Sequence, residues 1–132
     1  MSTTHSSLLR NTLYGNSVFS ILSGLACMFF STAIANFLGL SASWIIFALG
    51  IGLILYGIEI YVAARANPVH KGIATFAVYA DLAWVIVSAL LIFANLADFT
   101  TAGKWAIAIV ADIVLVFAIL QFVGLRRLKI ST

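Results

Sequence analysis

Residues 73–97 read IATFAVYADLAWVIVSALLIFANLA and contain a single charged residue, Asp81. The run is longer than the roughly 20 apolar residues that carry a helix across about 30 Å of hydrocarbon. It lacks the alternation of polar and apolar residues that is typical of a strand in a membrane barrel. The sequence therefore predicts a transmembrane helix over 74–96, with a carboxylic acid inside it.

Three further stretches have the same character, at 17–38, 43–64 and 104–125. Of the 132 residues, 64% are hydrophobic and only 8% are charged, whereas about a quarter are charged in a soluble domain. The links GLSAS and ADFTTAG are short, so the helices that they join should be antiparallel neighbours. We predict an all-α membrane protein, a single transmembrane domain in which two hairpins form an antiparallel four-helix bundle.

The seven basic residues are divided unevenly between the two ends of this bundle. Only Lys104 lies at one end, and six lie at the other: Arg10, Arg65, Lys71, Arg126, Arg127 and Lys129. The positive-inside rule then places both termini and the central loop in the cytoplasm. The last five of these residues are candidates for setting topology and contacting lipid headgroups. These two roles account for the excess of basic over acidic residues, so we expect no nucleic-acid partner.

Small residues recur along one face of the first predicted span. They are Ser20, Gly24, Cys27, Ser31 and Ala35, at steps of four, three, four and four. Small faces let membrane helices approach closely, so this face should be a helix contact. Because it also favours self-association, we expect a homo-oligomer or a subunit of a larger membrane complex.

Three acids lie within the predicted spans: Glu59, Asp81 and Asp112. Each costs about 2.5 to 3.5 kcal/mol at the middle of a membrane helix, so each requires an explanation. Counted from the nearest cytoplasmic cation, the helix rise puts them at depths of roughly 9, 15 and 21 Å. They form a possible ladder on three different helices.

Side chains at helical spacing identify the candidates for proton or ligand binding around these acids. Asp81 shares one side of its helix with Trp84, Ser88 and Asn95, while Tyr56 lies one turn from Glu59. Tyr79 and Trp84 flank Asp81, and an aromatic pair beside a carboxylate can hold an organic cation.

These sequence features are compatible with two functions. In the first, the protein is an accessory or structural subunit of a membrane assembly, and its acids hydrogen-bond between helices. In the second, it is a proton-coupled carrier of a small or cationic solute that uses Asp81 and Asp112. An enzyme is less favoured, because no nucleophile motif, metal-ligand spacing or readable cofactor site accompanies the acids.

Three stretches, GNSVFSILSGL, VYADLAWVIVSALLI and TTAGKWAIAIVADIVLVFAILQFVGLRR, carry a resemblance that covers most of the chain. They resemble a family of functionally uncharacterised bacterial four-span integral membrane proteins of about this length. The resemblance implies the four-span fold and a location in the bacterial inner membrane. It assigns no role to any residue.

Overall fold

The computed structural model describes residues 2–66, 69–94 and 99–131, with side chains described from residue 7 to residue 127 of these ranges. The described part forms five helices: α1 (Ser2–Phe29), α2 (Ser31–Leu38), α3 (Ser43–Arg65), α4 (Lys71–Phe93) and α5 (Thr101–Ser131). The helices α1, α3, α4 and α5 are each long and apolar enough to cross a membrane. The predicted all-α bundle of four membrane-spanning helices is therefore confirmed.

The first spanning helix differs from its predicted bounds. Its apolar segment runs over Ser7–Phe29 instead of 17–38, and Phe30 leaves the helical conformation at φ −121°. The predicted span began at residue 17, where the mostly polar N-terminal segment gives way to a mostly apolar run. The structure instead buries Leu9 and Leu13 completely in the core, so the preceding turns belong to the bundle. The segment from residue 31 onward forms the separate helix α2.

A glycine ends α2 and turns the chain toward α3. Gly39 has φ 91°, which side chains other than hydrogen rarely tolerate, and its N–H donates to the Ala35 carbonyl at 2.9 Å. The end of α2 is also joined to the start of α5, because the Thr100 N–H donates to the Leu38 carbonyl at 2.9 Å. These contacts define the end of the bundle that carries Lys104.

The helices α1 and α3 touch backbone to backbone at two glycines. A Cβ added to Gly24 would lie 2.7 Å from the carbonyl oxygen of Gly50, and one added to Gly50 would lie 2.6 Å from that of Gly24. Ser20 is also buried, while Cys27 and Ser31 are half-buried. Gly24 and Cys27 thus pack on Gly50 of the same chain, so Gly24 is not open to a second copy. Ser31 and Ala35 of the predicted small face lie on the separate helix α2.

The opposite end of the bundle holds the basic residues and a compact core. Arg10 donates from Nε to the Ala64 carbonyl at 3.0 Å and from Nη2 to the Ala66 carbonyl at 3.1 Å, which joins the start of α1 to the end of α3. Leu9, Leu13 and Ile60 are fully buried in the core at this end. The helix directions place Arg65, Lys71, Arg126 and Arg127 here as well; the Lys129 side chain lies outside the described part of the chain.

The helices pack less closely on the side of the bundle where α3 and α4 are neighbours. α1 packs against α3 and α5, and α5 packs against α4. The two spanning helices α3 and α4 meet near the basic end, where Tyr56 reaches Ala77 and the His70 N–H donates to the Ala63 carbonyl. Farther from that end lies a cavity that is lined by residues of all four spanning helices, with the largest share from α3.

Candidate functional site

Asp81 lies inside the bundle and is only 4% exposed. Its Oδ2 accepts hydrogen bonds from Asn16 Nδ2 and Gln121 Nε2, both at 2.9 Å, and its Oδ1 accepts one from the Tyr56 hydroxyl at 2.7 Å. All three donors are neutral. The carboxyl group is therefore held by polar contacts from three other helices, with no cation among the groups that bind it.

We call Asn16, Ser20, Tyr56, Asp81 and Gln121 the Asp81 cluster. Asn16 Nδ2 also donates to Gln121 Oε1 at 2.9 Å, and the Ser20 hydroxyl donates to Asn16 Oδ1 at 3.2 Å. Each of the four spanning helices contributes at least one member. Since bilayer hydrocarbon offers no hydrogen bonds, the cluster stabilises the arrangement in which these polar groups meet.

Tyr56 lies between two acceptors. Its single hydroxyl hydrogen can reach Asp81 Oδ1 at 2.7 Å or the Ala77 carbonyl at 3.2 Å. When Asp81 is ionised, the hydroxyl donates to Oδ1. When Oδ1 carries a proton, that proton is donated to the tyrosine oxygen and the tyrosine donates to Ala77. The geometry thus fits both protonation states without changing the two bonds at Oδ2.

A cavity of about 580 Å³ adjoins the cluster. It is bordered by Asp81 and Tyr56 and by residues of α3 as far as Ile45, about 16 Å along the helix. Trp84 also lines it, and the buried indole Nε1 of this residue has no hydrogen-bond partner among the described residues. The walls are almost entirely apolar, so the cluster is the main polar feature of the cavity.

The other candidates from the sequence are only partly brought together. Trp84 is half-buried at the cavity and Ser88 is buried farther along α4, whereas Tyr79 is 69% exposed on the outside of the bundle. Tyr79 and Trp84 therefore do not form an aromatic pair around Asp81. Asn95 lies outside the described residues.

The proposed ladder of acids is not a continuous path in the structure. Glu59 and Asp112 are both exposed on the outer surface, and neither borders the cavity. Arg65 lies over the ring of Tyr61, 5.7 Å from its centroid. Asp81 is thus the one carboxylate of the three that faces the interior.

Sequence reasoning did not select Asn16 or Gln121, although both are essential parts of the cluster. Asn16 stood just before the predicted first span, and Gln121 lies close enough to Arg126 to suggest the interface. Both residues could have been recognised from the sequence as amides at the edge of, or within, an apolar helix, because an amide in the membrane requires a hydrogen-bond partner.

Metal binding has no support in the described residues, where no three His, Cys, Asp or Glu side chains lie together. No family model, curated protein or solved structure matches the chain.

Proposed function

We propose that the protein is an accessory or structural subunit of an assembly in the bacterial cytoplasmic membrane. The observation that carries this proposal is the outward position of Asp112, which is exposed on α5 within a membrane-spanning segment. The helix rise places it about 16 Å from Thr101 and about 22 Å from Arg127, near the middle of the span. A carboxyl group facing lipid at this depth costs about 2.5 to 3.5 kcal/mol.

The surface around Asp112 has the character of a helix-packing face. Trp105, Ile109, Val116 and Ile119 recur on the same side of α5, and each is more than half exposed. Another transmembrane helix with a hydrogen-bonding group would cover these apolar side chains and satisfy the carboxyl group. Asp112 would then serve as a polar contact between subunits, while Asp81 serves within the chain.

A purification from the native membrane tests the proposal. The full-length protein, extracted in mild detergent, should migrate as a complex, and Asp112→Leu should reduce the bound partner at least about fivefold, equivalent to about 1 kcal/mol. Ile113→Leu, an exposed apolar neighbour, is the matched control and should leave the complex unchanged. A protein that is monomeric both in detergent and after cross-linking in the membrane would overturn the proposal. The bound chain identifies the partner as a second copy or a different protein.

We also propose that both termini lie in the cytoplasm and that the chain is related to the bacterial four-span proteins that it resembles. The basic end supports cytoplasmic termini, with Arg65, Lys71, Arg126, Arg127 and Lys129 near anionic lipid headgroups. The resemblance to bacterial four-span proteins supports the inner-membrane location. Neither feature favours an enzyme.

A proton-coupled carrier is the second candidate, and one observation favours it: the cavity borders Asp81. Asp81 alone would serve this carrier, and Asp112 would not, because the Asp112 side chain lies outside the cavity lining. A carrier must bind its solute, so the absence of any solute binding at Asp81 would remove the candidate.

A further inference from the structure

We propose that the cavity beside Asp81 is a binding site for a lipophilic organic monocation, of the quaternary ammonium or phosphonium class. This goes beyond the proposed structural role, because binding in the cavity is independent of whether a partner covers Asp112; for the carrier candidate it names the chemical class of the solute. The site combines a carboxylate without a counter-ion, apolar walls of suitable size and a side that opens toward the membrane.

The charge of the ligand is inferred from Asp81. Among the described residues that line the cavity, Asp81 is the only ionisable acid or base apart from the Tyr56 phenol. Its three hydrogen bonds come from neutral groups, so they solvate a negative charge but do not neutralise it. A cation in the adjoining apolar space would provide that neutralisation, and the attraction would be strong because little water screens it.

The type of cation is inferred from the bonds that Asp81 already makes. With two donors at Oδ2 and one at Oδ1, the carboxylate has little need for another N–H donor. A primary ammonium would bring three hydrogen-bond donors into a largely apolar space and leave some of them unsatisfied. A cation whose charge is shielded by carbon groups avoids that cost.

The walls of the cavity suit such a ligand. Its volume of about 580 Å³ is within the range of about 300 to 1,000 Å³ found for small-molecule sites. Phe19, Tyr56 and Trp84 contribute aromatic side chains from three different helices. Aromatic faces attract organic cations, and they do so more strongly where water is excluded.

The route into the site lies along α3. Ile45, Ala48, Leu49 and Gly52 all line the cavity and are also exposed on the surface of the chain. A Cβ added at Gly52 would meet no atom within 4 Å, so there is open space beside this part of the helix. A lipophilic cation dissolved in the bilayer can therefore reach the cavity from the side.

The test uses tetraphenylphosphonium and the full-length protein in lipid nanodiscs. Equilibrium dialysis should show saturable binding above that of empty nanodiscs, and neutral triphenylphosphine oxide should bind at least tenfold more weakly. Asp81→Asn should weaken cation binding at least tenfold, whereas Asp112→Asn, the matched acid on the outer surface, should leave it unchanged. A second variant, Gly52→Leu, should weaken binding by filling the cavity without altering the Asp81 cluster.

Binding should also tighten as the pH rises, because a proton and the cation compete for Asp81. The groups that face this carboxyl from the other helices are the Tyr56 phenol and the neutral amides of Asn16 and Gln121. Wild-type binding no greater than in empty nanodiscs would overturn the proposal. So would equal affinity for the neutral compound, or cation binding that survives either Asp81→Asn or Gly52→Leu unchanged.

Discussion

Asp81→Leu is expected to lower the free energy of unfolding of the bundle by about 2 to 4 kcal/mol, the sum of three lost interhelical hydrogen bonds. Leucine keeps the branched shape of aspartate but accepts no hydrogen bond. Gln121 Nε2 would lose its acceptor and Asn16 Nδ2 one of its two, while the Tyr56 hydroxyl would keep the Ala77 carbonyl. Steric trapping of the unfolded state in bicelles measures this change.

Asp81→Asn is the informative comparison, because the cluster can accommodate an amide. The amide oxygen would take the bonds from Asn16 and Gln121, and the amide N–H would donate to the Tyr56 oxygen while Tyr56 donates to Ala77. We therefore expect a smaller loss of stability than with leucine, below about 1.5 kcal/mol. Equal losses for the two variants would contradict the arrangement of hydrogen bonds described for Tyr56.

The second large effect is expected at the contact between α1 and α3. Gly50→Ala should lower the free energy of unfolding by about 1 to 3 kcal/mol, because the added methyl would lie 2.6 Å from the Gly24 carbonyl oxygen and force the helices apart. The neighbouring backbone cannot yield as the end of a flexible side chain can. The same unfolding measurement gives the change.

Gly52→Ala is a matched control for Gly50, two residues away on the same helix. Its added methyl would meet nothing within 4 Å, so stability should stay the same or increase by up to about 1 kcal/mol from the lower helix entropy cost of alanine. Similar losses for both alanine variants would mean that the effect comes from the loss of glycine in α3 and not from the contact with Gly24.

The number of spanning helices could be predicted because hydrocarbon thickness alone sets the required length of an apolar run. The start of the first helix could not. Leu9 and Leu13 lie among polar residues in the sequence, and only the packing of α1 on its neighbours shows that they are buried. A hydropathy pattern records composition along the chain and does not record which side of a helix meets another helix.

The same limit applies to the three acids, because composition along the chain does not show which of them face the interior of the bundle. Helical spacing grouped Asp81 with Trp84, Ser88 and Asn95, of which the structure buries Asp81 and Ser88 and half-buries Trp84. It gave no basis for placing Asp112 outside the bundle, since the residues around that acid are apolar in every direction. In α5 the fully buried Gln121 is bonded to Asp81, and Asp112, nine residues earlier, is exposed on the opposite side of the helix.

Two kinds of helix contact thus hold the bundle together at different places. Glycines hold α1 against α3 through close backbone packing, and the Asp81 cluster links these helices to α4 and α5. The cluster also forms the polar border of the cavity, so the group that stabilises the bundle is the one available to a ligand.

The most direct test of the central claim, that Asp81 links the helices through the cluster, is a double-mutant cycle between Asp81 and Gln121. The free energy of unfolding is measured for Asp81→Leu, Gln121→Leu and the double variant. Because each single change leaves the other polar group without this partner, the double variant should be less destabilised than the sum of the two, with a coupling energy of about 1 kcal/mol. Additive effects, within about 0.3 kcal/mol, would contradict the claim.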